Sequence, residues 1–271
     1  MTGATPRGTE RIARAFARAN IEHRLAVIIY LTVGYPDRGS TAALLRAALD
    51  GGADLLELGV PFSDPLADGA TVQRANEIAL TNGVTLADCL TAGREIVGAT
   101  DAPVVLMGYT NPFEHYGFQR FARDAAAAGI AGVIAVDMPA EESAVFGMEL
   151  AETGMARIDL FAPTTPDDRL ARLAADSRGF VYCVSLTGVT GARRAVGGDV
   201  EGFVRRVRAH TALPIALGFG ISEPSHVAAL RGLVDGVVIG SAAIDVVTGA
   251  TADRPAALRA FVRGLADAGR S

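Results

Sequence analysis

Short apolar runs, rich in Val, Ile and Leu, alternate along the chain with Ala-rich segments of helical periodicity. The apolar runs lie near 26–32, 53–58, 103–107, 131–136, 157–161, 179–184, 213–217 and 235–239. The helical segments include 39–51, 86–98, 117–129, 141–153, 166–177 and 223–232. Near-continuous hydrophobic strands are typical of parallel strands that are buried on both faces. Eight such strands alternating with helices predict an α/β fold of the (β/α)8 TIM-barrel type.

Two further helices lie outside this repeat. Apolar positions 12, 15, 16 and 19 predict an amphipathic N-terminal helix that caps the core, and a short extra helix is predicted over 241–248, after the eighth strand. No Gly/Ser-rich linker divides the chain, so residues 1–271 are predicted to form a single TIM-barrel domain. A doubly wound open sheet is the alternative, which the lack of a GxGxxG motif after the first strand makes weaker.

Composition and charge exclude several classes of protein. Half of the residues are hydrophobic and mean hydropathy is +0.30, which is ample for one large core. The net charge is −5 with scattered Arg residues, so nucleic acid is not an expected partner. No apolar run approaches the ~18 residues of a membrane span and no signal-peptide pattern opens the chain. Cys89 and Cys183 lie in apolar segments and are interpreted as buried thiols, so we expect a soluble cytoplasmic protein.

The segment LELGVPFSDPLADG, residues 56–69, carries the strongest indication of chemistry. Glu57 stands at the C-terminal end of a predicted strand, and Asp68 lies in the loop that follows. Active sites of barrels form from the loops after the strands, and acid–base catalysis requires carboxyl groups at such positions. A loop rich in Pro, Asp and Gly also arises from turn chemistry alone. These local features leave catalysis and a plain turn as alternatives.

Glycines after the last two strands predict a phosphate site. Gly218 and Gly220 follow the seventh strand, while Gly240 and Ser241 follow the eighth and begin the extra helix. Barrels frequently bind phosphate with these two loops and the N-terminus of a short helix. Singly, each feature also fits a crowded turn or a helix N-cap. The four histidines lie away from the strand ends, so neither a metal site nor a His-based triad is predicted.

The same segments resemble a known family. LELGVPFSDPLADG is similar to the signature of tryptophan synthase α subunits. Six shorter segments resemble blocks of that family in the same order: TVGYPD at 32–37, MGYTNP at 107–112, DMPAEES at 137–143, APTTPDDR at 162–169, SLTGVTGAR at 185–193 and GFGISEP at 218–224. The resemblance covers nearly the whole chain. It implies a lyase that cleaves indole-3-glycerol phosphate by a retro-aldol reaction to indole and glyceraldehyde 3-phosphate.

The resemblance also implies roles for individual residues. Glu57 matches the general acid–base, and Asp68 matches the residue that holds the indole N–H and stabilises positive charge on the ring. No metal or organic cofactor is expected, because protonation of the ring supplies the electron sink. The remaining matches concern substrate binding. Four residues match positions that bind the phosphate group, Gly191, Gly220, Gly240 and Ser241, and Thr190 matches the threonine of the lid loop. Tyr182 matches a tyrosine beside the acid–base carboxylate, and the indole pocket is matched by Tyr30, Thr71 and Ile134.

The family's partner is a pyridoxal-phosphate-dependent β subunit, expected in an α2β2 heterotetramer and docked on the loops after strands two and three. A stand-alone lyase that releases free indole remains an alternative, as does a catalytically silent regulatory subunit. Retention of both Glu57 and Asp68 argues against the silent subunit. A ring-closing synthase would require a strand-end lysine, and all 25 basic residues are Arg. An isomerase would require acid–base groups on opposite strands, which the Glu57–Asp68 loop fits poorly.

Overall fold

A single parallel sheet forms the centre of the molecule. The computed structural model of the protein describes residues 7–139, 141–184, 199–218 and 220–270. Within these residues the sheet has nine strands in the order β5-β4-β3-β2-β1-β9-β8-β7-β6. The strands are β1 (Ala26–Thr32), β2 (Leu55–Gly59), β3 (Val104–Gly108), β4 (Gly132–Ala135), β5 (Ala156–Arg157), β6 (Leu160–Phe161), β7 (Val181–Val184), β8 (Ile215–Gly218) and β9 (Gly236–Ile239).

The sheet closes into a barrel through the segment that contains β5 and β6. β5 pairs with β4, whereas β6 pairs with β7. The closure continues between these strands, because Ile158 N donates to Val133 O at 3.0 Å and Arg178 N donates to Arg157 O at 2.8 Å. The predicted barrel is therefore confirmed. The prediction of one strand over 157–161 is corrected to two short strands, since the chain changes pairing partner at Ile158–Asp159.

Helices surround the barrel. No helix in the described parts of the chain is both long and apolar enough to cross a membrane. The structure adds α3, α5, α9 and α12 to the helices that periodicity predicted, and it ends the predicted helix 223–232 at residue 228. The helices are α1 (Gly8–Ile21), α2 (Thr41–Gly51), α3 (Ala70–Thr81), α4 (Leu86–Ala99), α5 (Thr110–Tyr116), α6 (Phe118–Ala127), α7 (Ala144–Glu152), α8 (Asp167–Asp176), α9 (Val200–Arg208), α10 (Pro224–Ala228), α11 (Ser241–Gly249) and α12 (Arg254–Ala268).

The barrel interior is apolar and is closed at one end by α1. Its packed cluster joins Ile28, Leu55 and Phe180 with the four apolar positions of α1 that periodicity singled out. The ring of Phe16 lies 5.5 Å from that of Phe180. The predicted capping helix is thus confirmed, and it covers the end of the barrel at which the strands begin. Any site must open at the other end, where the strands finish.

A buried ion pair fixes the strand starts beside α1. Asp54 is 1% exposed, and its carboxylate accepts from Arg24 Nη1 at 2.5 Å and Arg24 Nη2 at 2.8 Å. It also accepts from Val27 N at 3.0 Å. The Asp54 side chain thus binds the start of the neighbouring strand β1, and Asp54 itself lies just before β2. The strand predicted over 53–58 therefore begins at Leu55.

Candidate active site

Glu57 places a carboxyl group inside the open end of the barrel. It lies on β2 opposite Tyr30 of β1 and Val105 of β3. Its side chain is 1% exposed, and neither carboxyl oxygen has a hydrogen-bond partner among the described residues. Burial, followed by the negative charge of Asp68, raises the pKa of Glu57 to about 8. Glu57 is therefore a neutral acid at pH 7.

Asp68 lies in the half-buried part of the loop between β2 and α3. Burial raises the pKa of Asp68 to about 6, while hydrogen bonding from Tyr109 and Asn76 acts in the opposite direction. Asn76 Nδ2 donates to Asp68 Oδ2 at 3.2 Å. The loop backbone is held as well, because Ala67 N donates to the Tyr109 hydroxyl at 3.0 Å. Asp68 is therefore an anion at pH 7.

The two carboxyl groups are thus separated in protonation state between about pH 6 and pH 8. Glu57 can donate a proton in this range, while Asp68 can accept a hydrogen bond and stabilise a nearby positive charge. Two carboxyl groups whose environments push their pKa values apart are a common arrangement for acid–base chemistry. The arrangement suits protonation of a substrate that becomes cationic.

Two tyrosines that the resemblance singled out, Tyr30 and Tyr182, lie in the same open end. Both are 6% exposed, and burial raises the pKa of each phenol. After burial, a negative charge on Glu57 raises the pKa of Tyr182 further. Glycines make room for the rings: a Cβ on Gly59 would lie 2.2 Å from the Tyr30 hydroxyl, and one on Gly218 would lie 2.3 Å from the Tyr182 ring.

Ile134 and Thr71, the other two expected pocket residues, have different surroundings. Ile134 is fully buried in the apolar cluster of the barrel interior. Thr71 stands near the start of α3, where its hydroxyl donates to Asp245 Oδ1 of α11 at 3.2 Å. The hydroxyl of Thr71 therefore joins the end of the Asp68 loop to the helix that follows β9.

The predicted phosphate positions lie where the adjacent strands β8 and β9 end. Gly220 has a left-handed backbone with φ +76°, which favours glycine. Gly240 precedes α11 and Ser241 is its first residue; no side chain among the described residues caps this N-terminus. Its backbone N–H groups are thus available to an anion. Two other expected positions, Thr190 and Gly191, lie outside the described residues.

Sequence reasoning missed one residue of the site and gave another no role. Asn76 is 2% exposed, and it lies on the buried face of α3 with Val72, Ala75 and Ala79. A polar residue at that helical spacing is the signal that could have identified it. Tyr109 lies within the MGYTNP segment at 107–112 and receives no role from the sequence, although its hydroxyl contacts the Asp68 loop. In the described ranges, no group of three or more His, Cys, Asp or Glu residues is arranged to hold a metal ion.

Comparison with known proteins identifies relatives that all carry the same family description. The family model described as tryptophan synthase alpha chain matches residues 16–267. The tryptophan synthase alpha chain of Roseiflexus castenholzii is 51% identical over 238 residues, covering 88% of this chain and 91% of that protein. The Chloroflexus aggregans alpha chain is 46% identical over 260 residues, covering 95% and 97%.

Solved structures agree with the sequence relatives. A chain of Mycobacterium tuberculosis tryptophan synthase superposes with a TM-score of 0.89 at 38% identity, covering 96% of this chain and 98% of that one. The tryptophan synthase alpha chain of Legionella pneumophila superposes with a TM-score of 0.87 at 32% identity, covering 95% and 96%. Sequence and architecture therefore point to the same family.

Proposed function

The chain belongs to the tryptophan synthase alpha chain family, and we propose that Glu57 and Asp68 are the catalytic residues of its lyase reaction. That reaction cleaves indole-3-glycerol phosphate to indole and glyceraldehyde 3-phosphate. The observation that carries the proposal is a buried Glu57 carboxyl group that has no hydrogen-bond partner among the described residues, together with an Asp68 that keeps its negative charge.

Glu57 performs both proton transfers. The neutral carboxyl group first gives its proton to carbon 3 of the indole ring, which leaves the ring cationic and Glu57 ionised. The carboxylate then takes the proton from the hydroxyl group next to the bond that breaks. As that C–C bond breaks, its electron pair returns to the ring, while the former hydroxyl oxygen becomes the aldehyde. Glu57 ends neutral, as it began, which its pKa of about 8 favours.

Asp68 stabilises the cationic ring. Its carboxylate accepts a hydrogen bond from the indole N–H, which becomes a stronger donor once the ring is protonated. An interaction that is stronger in the transition state than in the bound substrate lowers the barrier. Loss of a group of this kind typically reduces the rate by ~10²–10⁴. We therefore assign Asp68 an electrostatic role and leave proton transfer to Glu57.

The phosphate group of the substrate lies at the N-terminus of α11. Gly220, Gly240 and Ser241 support this placement, since adjacent strand ends bring them to one uncapped helix start. Gly191 is proposed to complete the phosphate site and Thr190 to close over the Asp68 loop, on the basis of the sequence alone. For the indole ring we propose a pocket formed by Tyr30, Tyr182, Thr71 and Ile134.

As an alpha chain, the protein works with a beta subunit in tryptophan biosynthesis. We propose that this subunit docks on the loops after β2 and β3. Leu66 supports the site because its side chain is 90% exposed at the loop surface. Phe62 packs on Tyr109 with ring centroids 5.1 Å apart, so the two loops are in contact with each other. We further propose a single domain over 1–271 and a cytoplasmic location.

Indole release from indole-3-glycerol phosphate tests the assignment. The purified protein is assayed alone and with a beta subunit and serine, beside Glu57→Gln and Asp68→Asn. We expect slow cleavage alone, a many-fold increase with the beta subunit, no turnover for Glu57→Gln and a residual rate for Asp68→Asn. Fast cleavage that the beta subunit leaves unchanged would indicate a stand-alone lyase. Full activity in either variant would refute the catalytic roles.

A further inference from the structure

Asn76 contacts Asp68 from a position that no solvent reaches. Its side chain is 2% exposed on α3, eight residues after Asp68, and its Nδ2 donates to Asp68 Oδ2 at 3.2 Å. A carboxylate only accepts hydrogen bonds, so the NH2 group of Asn76 must face it. The Oδ1 atom of the same amide is buried without a partner among the described residues. The amide thus gives up one hydrogen bond in order to contact Asp68.

We propose that Asn76 is a positioning residue, which holds the Asp68 carboxylate ionised and in place for the indole ring. This inference rests on the proposed role of Asp68. A hydrogen bond to a charged group is stronger than one between neutral groups, and it stabilises the ionised form specifically. Removing the Asn76 donor should therefore favour protonation of Asp68 and release its side chain from α3.

Of the ionisable groups described around Asp68, Tyr109 also supplies this stabilisation, whereas Glu57, Tyr30 and Tyr182 do not. Glu57 on β2 is an acid, whose own ionisation would oppose a second negative charge nearby. Tyr30 on β1, Tyr182 on β7 and Tyr109 after β3 are phenols whose pKa values the charge of Asp68 raises. As neutral groups they carry no compensating positive charge. Among the described residues, Asn76 Nδ2 donates to the Asp68 carboxylate, and hydrogen bonding from Tyr109 also lowers the pKa of Asp68.

Gln73 offers a matched control on the same helix. Its Nε2 donates to the backbone carbonyl oxygens of Pro65 and Asp68, at 3.3 and 2.9 Å. Gln73 therefore holds the same loop through its backbone, without contact with the carboxylate. A merely structural role for these amides predicts that Gln73→Ala and Asn76→Ala have the same kind of effect. The proposal predicts that Asn76→Ala alone changes how activity depends on pH.

The test compares kcat and KM for indole-3-glycerol phosphate cleavage from pH 5 to pH 8.5, in complex with the beta subunit. Asn76→Ala should move the acidic limb of kcat upward by about one pH unit, which lowers the ionised fraction of Asp68 about fivefold at pH 6. KM should change less than kcat. Gln73→Ala should leave the limb in place. Because both variants act on the same substrate, titration of its phosphate group cancels in the comparison.

The near-isosteric variant Asn76→Leu provides a second measurement if Asn76→Ala does not fold. It removes the donor without adding a charge, so the limb should move upward as in Asn76→Ala. A limb that stays in place in a folded Asn76 variant, while Asp68→Asn keeps only a residual rate, would overturn the role of Asn76 and leave that of Asp68 intact. Full activity of Asp68→Asn would overturn the catalytic role itself, and the inference with it.

Discussion

Replacing Glu57 by Gln should stabilise the protein as pH rises, while abolishing its activity. In the folded protein the pKa of Glu57 is raised from 4.5 to about 8, so folding favours the protonated carboxyl group. Below pH 4.5 the group is protonated in both the folded and unfolded states, and pH has no effect through it. Above this value the unfolded chain releases a proton that the folded protein retains, and stability falls until about pH 8.

The magnitude follows from the width of that range. Each pH unit within it costs roughly 1.4 kcal/mol of unfolding free energy. Between pH 5 and pH 8, wild-type protein should therefore lose roughly 3–4 kcal/mol relative to Glu57→Gln, because the slope flattens near each pKa. A glutamine in the same place also leaves polar atoms unpaired, but that cost does not depend on pH. The change in the difference with pH, and not its value at one pH, isolates the carboxyl group.

Urea unfolding at several values from pH 5 to pH 8 measures the difference. Glu77→Gln, on the exposed side of α3, controls for the loss of a negative charge as such. We expect the gap between wild type and Glu57→Gln to widen steadily with pH and the gap for Glu77→Gln to stay small. A constant gap for Glu57→Gln would refute the reasoning, because it would mean that Glu57 ionises in the folded protein as readily as in the unfolded chain.

Three further predictions follow from the same geometry. The pH dependence of kcat/KM should be bell-shaped with limbs near pH 6 and pH 8, set by Asp68 and Glu57; a flat acidic limb would contradict it. Gly59→Ala should lower kcat and reduce the free energy of unfolding in urea by about 1–3 kcal/mol, because the added Cβ overlaps the Tyr30 hydroxyl. The control Gly69→Ala adds a Cβ that meets nothing within 4 Å, so it should reduce the unfolding free energy by less. Arg24→Ala should cost about 1.5–3 kcal/mol, since it removes the bidentate partner of the buried Asp54 carboxylate and leaves it with the half-exposed Arg18 and Val27 N; a loss under 1 kcal/mol would contradict that.

The barrel could be predicted from sequence because its strands are buried on both faces. Such strands appear as continuous apolar runs, and all the predicted runs correspond to strands of the sheet. The segment 157–161, which closes the barrel, was less predictable. This one apolar run pairs with two different strands, β4 and β7, and hydrophobicity does not indicate which strand a residue pairs with. α3 escaped prediction for a related reason. It begins immediately after the loop rich in Pro and Asp, and Asn76 interrupts its apolar face.

For the candidate site, the sequence predicts which residues take part but not their protonation states. Glu57 and Asp68 are visible as acidic residues at a strand end and in the following loop, and family resemblance assigns their roles. Their opposite protonation states are not visible, since they depend on burial and on contacts with residues distant in sequence. Tyr109 lies 41 positions after Asp68 and acts on it only because β2 and β3 are neighbours. Such contacts require the fold.

The stability that Glu57 costs is inseparable from the chemistry proposed for it. A donor placed against its carboxylate would stabilise the ionised form, lower its pKa and remove the acid that protonates the ring. Asp68, eleven positions along the chain, receives such a donor from Asn76 and keeps its charge. Within the described residues, a single strand and its loop thus present one carboxyl group without hydrogen-bond partners and one with them. In this part of the chain, the absence of hydrogen bonds at Glu57 is as specific a feature of the site as their presence at Asp68.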